Sequence, residues 1–399
     1  MHVSSPPLQL SDEQEQHAAA LFDDSIVFIC HDHNILEEDI QAMFDAGVTA
    51  KQLHISLDGQ VWANRETFLG SATAQQLVRE RERVGAVRTM EAPSGAFVSS
   101  GQFLSAAMTA LDYVYWQVEN SGGRLVLALE ANDVRAAKRN GGAALLLGSE
   151  GSRLLDDKLE VLRMLVRLGL RHLQLSWAWE TSVGTPQSDT SGRGLTDFGR
   201  DLVRELNDLG VIVDVAHLSY RSIEDVLAVS RSPVLCSHSG ATALNPEQTV
   251  LLPDQLLRGV AASGGVVAIH FMSQIVKPGR DKATFAQLMA QFDYVAGLIG
   301  PEHVACGPDY ALLDPRMWEN QGISVPFCFA DGVEDIRGMR NVARGLVAHG
   351  FDHHAVGGIL GENLLELFET VRAQADHHPG RRSPKRGAAG ALTAGTTPL

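Results

Sequence analysis

Two histidines flank an aspartate in His31-Asp32-His33, directly after a short apolar run at residues 26–30. Alternate side chains of an extended strand share a face, so we expect His31 and His33 to point the same way. Two imidazoles at the mouth of a buried strand are a natural pair of metal ligands. Taken alone, the pair favours the alternative of solvated histidines at a polar strand end. The other strand ends of the chain therefore decide between the two interpretations.

Later apolar runs also end in residues that bind metals: Glu150, His217, His238 and Asp309. A carboxylate among four histidines suits zinc or a similar divalent ion, and Glu150 is a candidate to bridge two ions. Two ions ~3.5–4 Å apart share a hydroxide that attacks a polarised carbonyl. Asp309 would carry the proton from that water to the leaving group. Singly, each residue has a structural alternative, such as a rim histidine, a helix-start glutamate or a turn aspartate. Together, at successive strand ends, they favour a metal centre.

The elements that position these residues follow a repeating pattern of apolar strand and amphipathic helix. Strand-like runs begin near residues 26, 51, 143, 171, 211, 233, 266 and 303. Such alternation predicts a parallel sheet, and about eight strands close a (β/α)8 TIM barrel. The carboxyl ends of barrel strands meet on one face, which would bring the candidate ligands together. An open doubly wound sheet is the alternative, but no Gly-rich phosphate loop follows any strand.

We expect one TIM-barrel domain with extra helices over residues 1–376 and a disordered tail over residues 377–399. The tail is rich in Pro, Gly, Arg, Ser and Thr and lacks periodic apolar residues. The whole chain has 399 residues, 45% of them hydrophobic, as expected for a soluble globular protein. Its formal net charge of -15 argues against nucleic acid or an anionic membrane as a partner.

The cellular compartment is indicated by apolar runs and cysteines. No run approaches the roughly 20 apolar residues that span a bilayer, and the polar stretch from Met1 to Gln16 predicts no secretory signal. The cysteines are far apart in sequence: Cys30, Cys236, Cys306 and Cys328. Most lie in apolar runs, where buried free thiols are expected. These features predict a cytoplasmic protein.

The order of the candidate ligands resembles that of the renal (membrane) dipeptidase family. The matching stretches are SIVFICHDHN, LLLGSEGSRLLDDKLEVLRMLVRLGLRHLQLS, GVIVDVAHLSYRSIEDVLAVSRSPVLCSHSGA, HVACGPDYALLD and GILGENLLELF. The resemblance implies a TIM-barrel enzyme with two divalent ions, zinc or else Mn²⁺ or another divalent metal, that hydrolyses dipeptides and is usually dimeric. It implies that one ion is held by His31, His33 and Asp309. It implies that the other is held by His217 and His238, with Glu150 between them.

Three departures from the family concern substrate recognition and charge. Most members have Asp where this chain has His33, which raises the net charge of the site by one. The family uses a His at the scissile carbonyl where this chain has Trp177, which cannot accept a proton. Residues 240–253 contain no Arg or Lys, although the family has there an Arg that binds the terminal carboxylate of the substrate. Arg153, near the family's Glu-Gly-Gly-His motif, is a candidate substitute cation, with a surface ion pair as the alternative.

These features predict that metal and water chemistry is kept while dipeptide recognition is rewritten. Trp177 and Trp179 would give the pocket a flat wall suited to an aromatic or otherwise apolar small molecule. We predict a homodimeric metal-dependent hydrolase of an amide bond in a dipeptide or N-acyl amino acid-like substrate. The alternatives are a barrel metalloenzyme of other chemistry, such as lactone hydrolysis, deamination or decarboxylation, and a non-catalytic binding relative.

Overall fold

The computed structural model of the chain describes residues 8–34, 37–58, 100–177, 180–279, 281–310 and 329–376. The predicted tail at residues 377–399, Trp179 and Cys328 lie outside these ranges.

A parallel barrel forms the centre of the molecule. Its strands are β1 (Phe28–Asp32), β2 (Ala50–Leu57), β3 (Leu125–Leu127), β4 (Ala143–Glu150), β5 (His172–Gln174), β6 (Ile212–Asp214), β7 (Val234–Ser239), β8 (Val266–Ile269) and β9 (Val304–Cys306). The strands pair in the order β1-β2-β4-β5-β6-β7-β8-β9, and β3 lies beside the first half of β4. A parallel bridge between Asp32 and Tyr310 joins the two ends of this path, with His33 N–H donating to the Tyr310 carbonyl at 2.9 Å. The predicted TIM barrel is confirmed.

Helices surround the barrel. They are α1 (Asp12–Asp24), α2 (Glu37–Ala46), α3 (Ser100–Asn120), α4 (Ala131–Arg139), α5 (Leu159–Arg167), α6 (Asp197–Leu209), α7 (Tyr220–Val229), α8 (Asp254–Ala262), α9 (Ser273–Val276), α10 (Phe285–Ile299), α11 (Met339–Ala348), α12 (His353–Gly357) and α13 (Asn363–Asp376). Their ends follow from local sequence. Thr196 caps the start of α6 by accepting from Gly199 N–H, and Gly210 ends it in the left-handed conformation at φ 66°.

The strands are apolar without alternation because the barrel interior covers one face and the helices cover the other. All residues of β4 are buried, including the polar end Ser149-Glu150. Strands β4 and β7 therefore hold Glu150 and His238 rigidly at the carboxyl end of the barrel. Cys30, Cys236 and Cys306 are buried free thiols, as predicted. Within the described ranges, no helix combines the length and apolar character needed to span a bilayer.

Candidate metal centre

The six predicted ligands meet at the carboxyl end of the barrel, and the Glu150 carboxylate lies between two pairs of histidines. Its Oε2 lies 3.4 Å from His31 Nε2 and 3.2 Å from His33 Nε2. Its Oε1 lies 3.3 Å from His217 Nε2 and 3.7 Å from His238 Nε2. One carboxylate oxygen thus faces each pair, which is the arrangement a bridging carboxylate needs.

The donor atoms of each group are spaced as a single ion requires. Ligands bound to one tetrahedral zinc ion at 2.0–2.1 Å lie about 3.3 Å apart. His31 Nε2 and His33 Nε2 are 3.0 Å apart, and Asp309 Oδ1 lies 3.5 Å and 3.7 Å from them. In the second group, His217 Nε2 and His238 Nε2 are 2.7 Å apart. The chemistry and convergence of these donors therefore fit divalent metal ions.

The backbone at three of the ligands is left-handed, which corrects one sequence expectation. His31 has φ 55°, His217 φ 64° and Asp309 φ 56°. His31 and His33 do converge, but not through regular strand alternation, since the β1–β2 register is irregular between Ile29 and Asp32. Positive φ costs a non-glycine residue of order 1 kcal/mol or more and persists where surrounding structure imposes it. Such strain at ligand positions is typical of functional sites.

Second partners fix the orientation of the ligand rings. Ser237 Oγ lies 3.2 Å from His31 Nδ1 and 2.8 Å from His238 Nδ1. Gln187 Oε1 lies 2.7 Å from His217 Nδ1. Each of these contacts leaves Nε2 as the ring atom that faces Glu150, and metal-ligating histidines commonly have such a partner on the other nitrogen.

His270 is a part of the centre that the sequence analysis missed. Its Nε2 lies 3.4 Å from Asp309 Oδ2, while its Nδ1 accepts from Met272 N–H at 3.2 Å. Nε2 therefore carries the proton and donates to Asp309. His270 directly follows β8. The strand-end rule that selected the other histidines would have found it.

A second missed group lies below the centre, inside the barrel. His54 of β2 is buried and stacks on His31 with ring centroids 3.9 Å apart. His172 of β5 lies beside His54 at 5.1 Å and contacts Asp214 Oδ2 through Nε2 at 2.8 Å. Both ring nitrogens of His54 and Nδ1 of His172 are buried and have no hydrogen-bond partner among the residues that the structure describes. No spacing along the sequence brings β2 and β5 together, so only the closed barrel reveals this group.

The pKa directions of Glu150, Asp309, His238 and His54 suit metal binding, whereas for His33 the effect of burial is outweighed by Glu150 beside it, so its pKa is raised. Burial alone would raise the pKa of Glu150, but the surrounding histidines, His31 first among them, hold it well below its ordinary value. Burial also lowers the pKa of His238 and of His54 well below the ordinary value for imidazole. For Asp309, the effect of burial is outweighed by His31 and His270, so its pKa is lowered. Ionised carboxylates and neutral imidazoles are the forms that bind metal ions.

The turn after Glu150 is built on a buried carboxylate, Asp58. Asp58 accepts from Ser152 N–H at 3.0 Å and from Arg153 N–H at 2.8 Å. Gly151 has φ 101°, and a Cβ there would lie 2.0 Å from Asp58 Cγ. The Arg153 guanidinium lies over the Phe103 ring, with its Cζ 5.7 Å from the centroid. Asp58 thus fixes the turn that carries both Glu150 and the predicted substrate residue Arg153.

Trp177 lies beside the second histidine pair, where the sequence analysis expected a substrate wall. Its ring centroid is 6.4 Å from that of His217, in an edge-on arrangement, and the residue is half-buried. The indole therefore borders the centre without replacing any ligand. Its role in binding substrate stays a prediction.

Comparison with known proteins identifies the family. A model of the membrane dipeptidase family (peptidase family M19) matches residues 49–382, so this chain belongs to that family. The predicted resemblance to this family is thereby confirmed, and the family is one of metallopeptidases. The matched segment begins after His31 and His33. The place of that pair in the centre therefore depends on the geometry above.

Several curated relatives are called dipeptidases. Dipeptidase tcpJ of Claviceps purpurea is 30% identical over 272 residues, which cover 68% of this chain and 61% of that protein. Dipeptidase verJ of Clonostachys rogersoniana is 30% identical over 281 residues, which cover 69% and 68%. An uncharacterised dipeptidase of Schizosaccharomyces pombe is 36% identical over 252 residues, which cover 61% and 57%. The chain therefore spans about three fifths of the length of the first of these relatives.

Solved structures share the fold. An amidohydrolase from Pseudomonas aeruginosa superposes with a TM-score of 0.70 at 21% identity, covering 89% of this chain and 99% of that one. A metallopeptidase from Rhodobacter sphaeroides, liganded with a phosphinate mimic of the dipeptide L-Ala-D-Ala, superposes with a TM-score of 0.68 at 22% identity. That superposition covers 87% of this chain and 100% of the other. These similarities support the barrel fold.

Proposed function

We propose that this chain is a two-metal hydrolase that cleaves an amide bond in a dipeptide or N-acyl amino acid-like substrate, with a specificity changed from that of ordinary dipeptidases. The observation that carries this proposal is the Glu150 carboxylate, whose two oxygens each face one histidine pair. When bound, two divalent ions would polarise the substrate carbonyl and supply hydroxide at neutral pH, with zinc first and Mn²⁺ or another divalent ion as alternatives.

The residues around the ions have separate tasks. Glu150 and the histidine pairs bind and space the ions. Asp309 touches the first pair through Oδ1 and is partly exposed to the pocket, so it is positioned to move a proton between water and the leaving amine. His270 donates to the other oxygen of Asp309 and keeps Oδ1 turned toward the centre. Asp309, the proton carrier, is thus held by His270, and His270 is itself held by the Met272 N–H.

The altered specificity rests on Trp177 and on a missing cation. An indole beside His217 offers a flat apolar surface but accepts no proton. Residues 240–253, which follow His238, contain no Arg or Lys to bind a terminal carboxylate. We therefore expect an apolar or aromatic group next to the scissile bond and weak dependence on a free carboxylate. Arg153 is the proposed substitute cation.

We further propose that residues 1–376 form a single domain, and that the protein is a cytoplasmic homodimer acting on a small molecule. Gel filtration with light scattering would measure the oligomeric state directly.

The test of the function is a substrate panel on metal-loaded protein. Ordinary dipeptides, dipeptides with aromatic side chains, N-acyl amino acids and lactones would be compared by kcat/KM. We expect the aromatic amides to be the better substrates, by about tenfold or more over L-Ala-D-Ala. A phosphinate mimic of L-Ala-D-Ala should accordingly inhibit less than a phosphinate with an aromatic side chain. Preferred turnover of L-Ala-D-Ala would overturn the altered specificity, and turnover of lactones alone would overturn amide hydrolysis.

A further inference from the structure

His54 is a buried histidine with the properties of a metal ligand. It is 1% exposed, and within the described part of the chain neither of its ring nitrogens has a hydrogen-bond partner. A neutral imidazole has one N–H donor and one lone pair, and burying either without a partner carries a desolvation penalty. Such a group in a native protein calls for an ion, a water or a neighbouring side chain that completes it.

The position of His54 points to the first metal position. Ligand atoms of His31, His33 and His54 all lie within 4.8 Å of one another. The ring centroids of His33 and His54 are 5.2 Å apart, close to the 4.9 Å between those of His31 and His33. His54 is therefore about as near to His33 as His31 is.

The second nitrogen of His54 has a matching neighbour. His172 Nε2 contacts Asp214 Oδ2 at 2.8 Å, and the pKa of Asp214 is lowered, so that carboxylate is ionised and accepts the proton. Nδ1 of neutral His172 is then a lone-pair acceptor, and it too lacks a partner. Gly148 leaves room for this ring, since a Cβ there would lie 2.4 Å from His172 Nδ1. This acceptor belongs to a ring whose centroid lies 5.1 Å from that of His54, within the same buried group.

We propose that His54 is a third imidazole ligand of the ion held by His31, His33 and Asp309, supported from below by His172 and Asp214. This inference rests on the proposed two-metal function and deepens it. A first position with three imidazoles and carboxylates favours zinc, cobalt or nickel over manganese and magnesium, because imidazole suits the former ions and oxygen ligands suit the latter. The chain would thus have five histidines around two ions.

The test is titration of the metal-free full-length protein with Co²⁺, followed by visible absorption and by calorimetry. His54→Phe keeps a ring stacked on His31 and removes only the nitrogens, so it separates ligation from packing. We expect wild type to bind two Co²⁺ per chain and His54→Phe to bind one of them at least tenfold more weakly, with changed d–d bands. The same variant should lose part of the preference for Co²⁺ over Mn²⁺.

Controls separate the possible failures. His353→Ala removes a histidine in α12, far in sequence from the centre, and should leave the titration unchanged. Should His54→Phe fail to fold by circular dichroism, His54→Gln takes its place with the same expected loss. Two Co²⁺ bound by the variant with unchanged affinity and spectrum would overturn the role of His54 alone. Absence of tight Co²⁺ or Zn²⁺ binding in wild type would overturn the two-metal function and this inference together.

Discussion

The Ser237 hydroxyl oxygen lies 3.2 Å from Nδ1 of His31, although 206 residues separate the two in sequence. The same oxygen lies 2.8 Å from Nδ1 of His238, so one small side chain on β7 joins a candidate ligand of each proposed metal position. When both rings bind metal through Nε2, both Nδ1 atoms carry protons and Ser237 accepts from both. The two halves of the centre are therefore oriented by a common residue.

Ser237→Ala should weaken metal binding without unfolding the protein. Loss of an outer partner of a ligating histidine typically costs 10–100-fold in metal affinity, and here two ligands lose theirs. Metal retained after dialysis against a graded series of chelators measures the effect. Ser239→Ala is the matched control, because that buried serine on the same strand donates to the Val250 carbonyl. Equal retention by both variants would contradict the linking role of Ser237.

Asp309→Asn should keep the metals and lose most of the activity. The amide oxygen remains able to bind, but the group no longer takes up a proton, and general acid–base catalysis contributes about 10²–10⁴-fold. Turnover of the best substrate and metal content by mass spectrometry would be measured on the same sample. Asp293→Asn, which alters an exposed partner of His349, serves as the control. Unchanged turnover in Asp309→Asn would refute its role as proton carrier.

Trp177→Ala should lower kcat/KM for aromatic amides by about tenfold, because removing an aromatic wall loses roughly 1–2 kcal/mol of apolar contact. The loss should fall mainly on KM, since the indole binds the substrate and transfers no proton. Steady-state kinetics with an aromatic dipeptide and with L-Ala-D-Ala would give the comparison. Equal losses for the two substrates would show that Trp177 supports the site without selecting the substrate.

Gly151→Ala should destabilise the protein by about 3 kcal/mol or more, since the residue has φ 101° and its new Cβ would overlap the Asp58 carboxylate. Gly141→Ala is the comparison variant. Gly141 has φ 64° with no atom within 4 Å of the added Cβ, so only the backbone cost of roughly 1–2 kcal/mol applies. Urea unfolding of both variants would separate strain from overlap. Similar urea midpoints for the two variants would mean that the turn after Glu150 accommodates the added Cβ without overlap.

Asp58 should make stability depend on pH. Burial raises its pKa to about 7 in the folded state, against 3.8 for the ordinary group, so the folded protein binds more protons than the unfolded chain between these values. The free energy of unfolding contributed by Asp58 is therefore highest near pH 4 and falls as pH rises to about 7. Buried histidines titrate in the same range with the opposite sign, as the lowered pKa of His54 illustrates.

Comparison with Asp58→Asn isolates the carboxyl from the histidines. The variant cannot ionise at this position, so its stability relative to wild type should improve as pH rises from about 4 to about 7. Urea midpoints of the two metal-free proteins at several pH values would measure the difference. Parallel pH profiles would contradict the raised pKa of Asp58.

The barrel and most of the centre were predictable because both are local in sequence. Apolar runs ending in Glu150, His217 or His238 predict strands that end at or within a few residues of these candidate ligands. Parallel strands then bring these ends to one face. His270 obeys the same rule, since it directly follows β8. The predicted alternation of His31 and His33 reached the right outcome through the wrong geometry, since a left-handed His31 cannot be read from spacing.

The sequence by itself determined the kinds of ligand and the strands that carry them, because strand periodicity and residue chemistry are properties of short segments. Only the tertiary structure decided which histidines face each oxygen of Glu150. The two oxygens of Glu150 face different histidine pairs because β1, β6 and β7 approach β4 across the closed barrel. The same closure brings His54 of β2 against His172 of β5. Contacts between strands far apart in the chain depend on barrel geometry, and that geometry converts a series of strand ends into one centre.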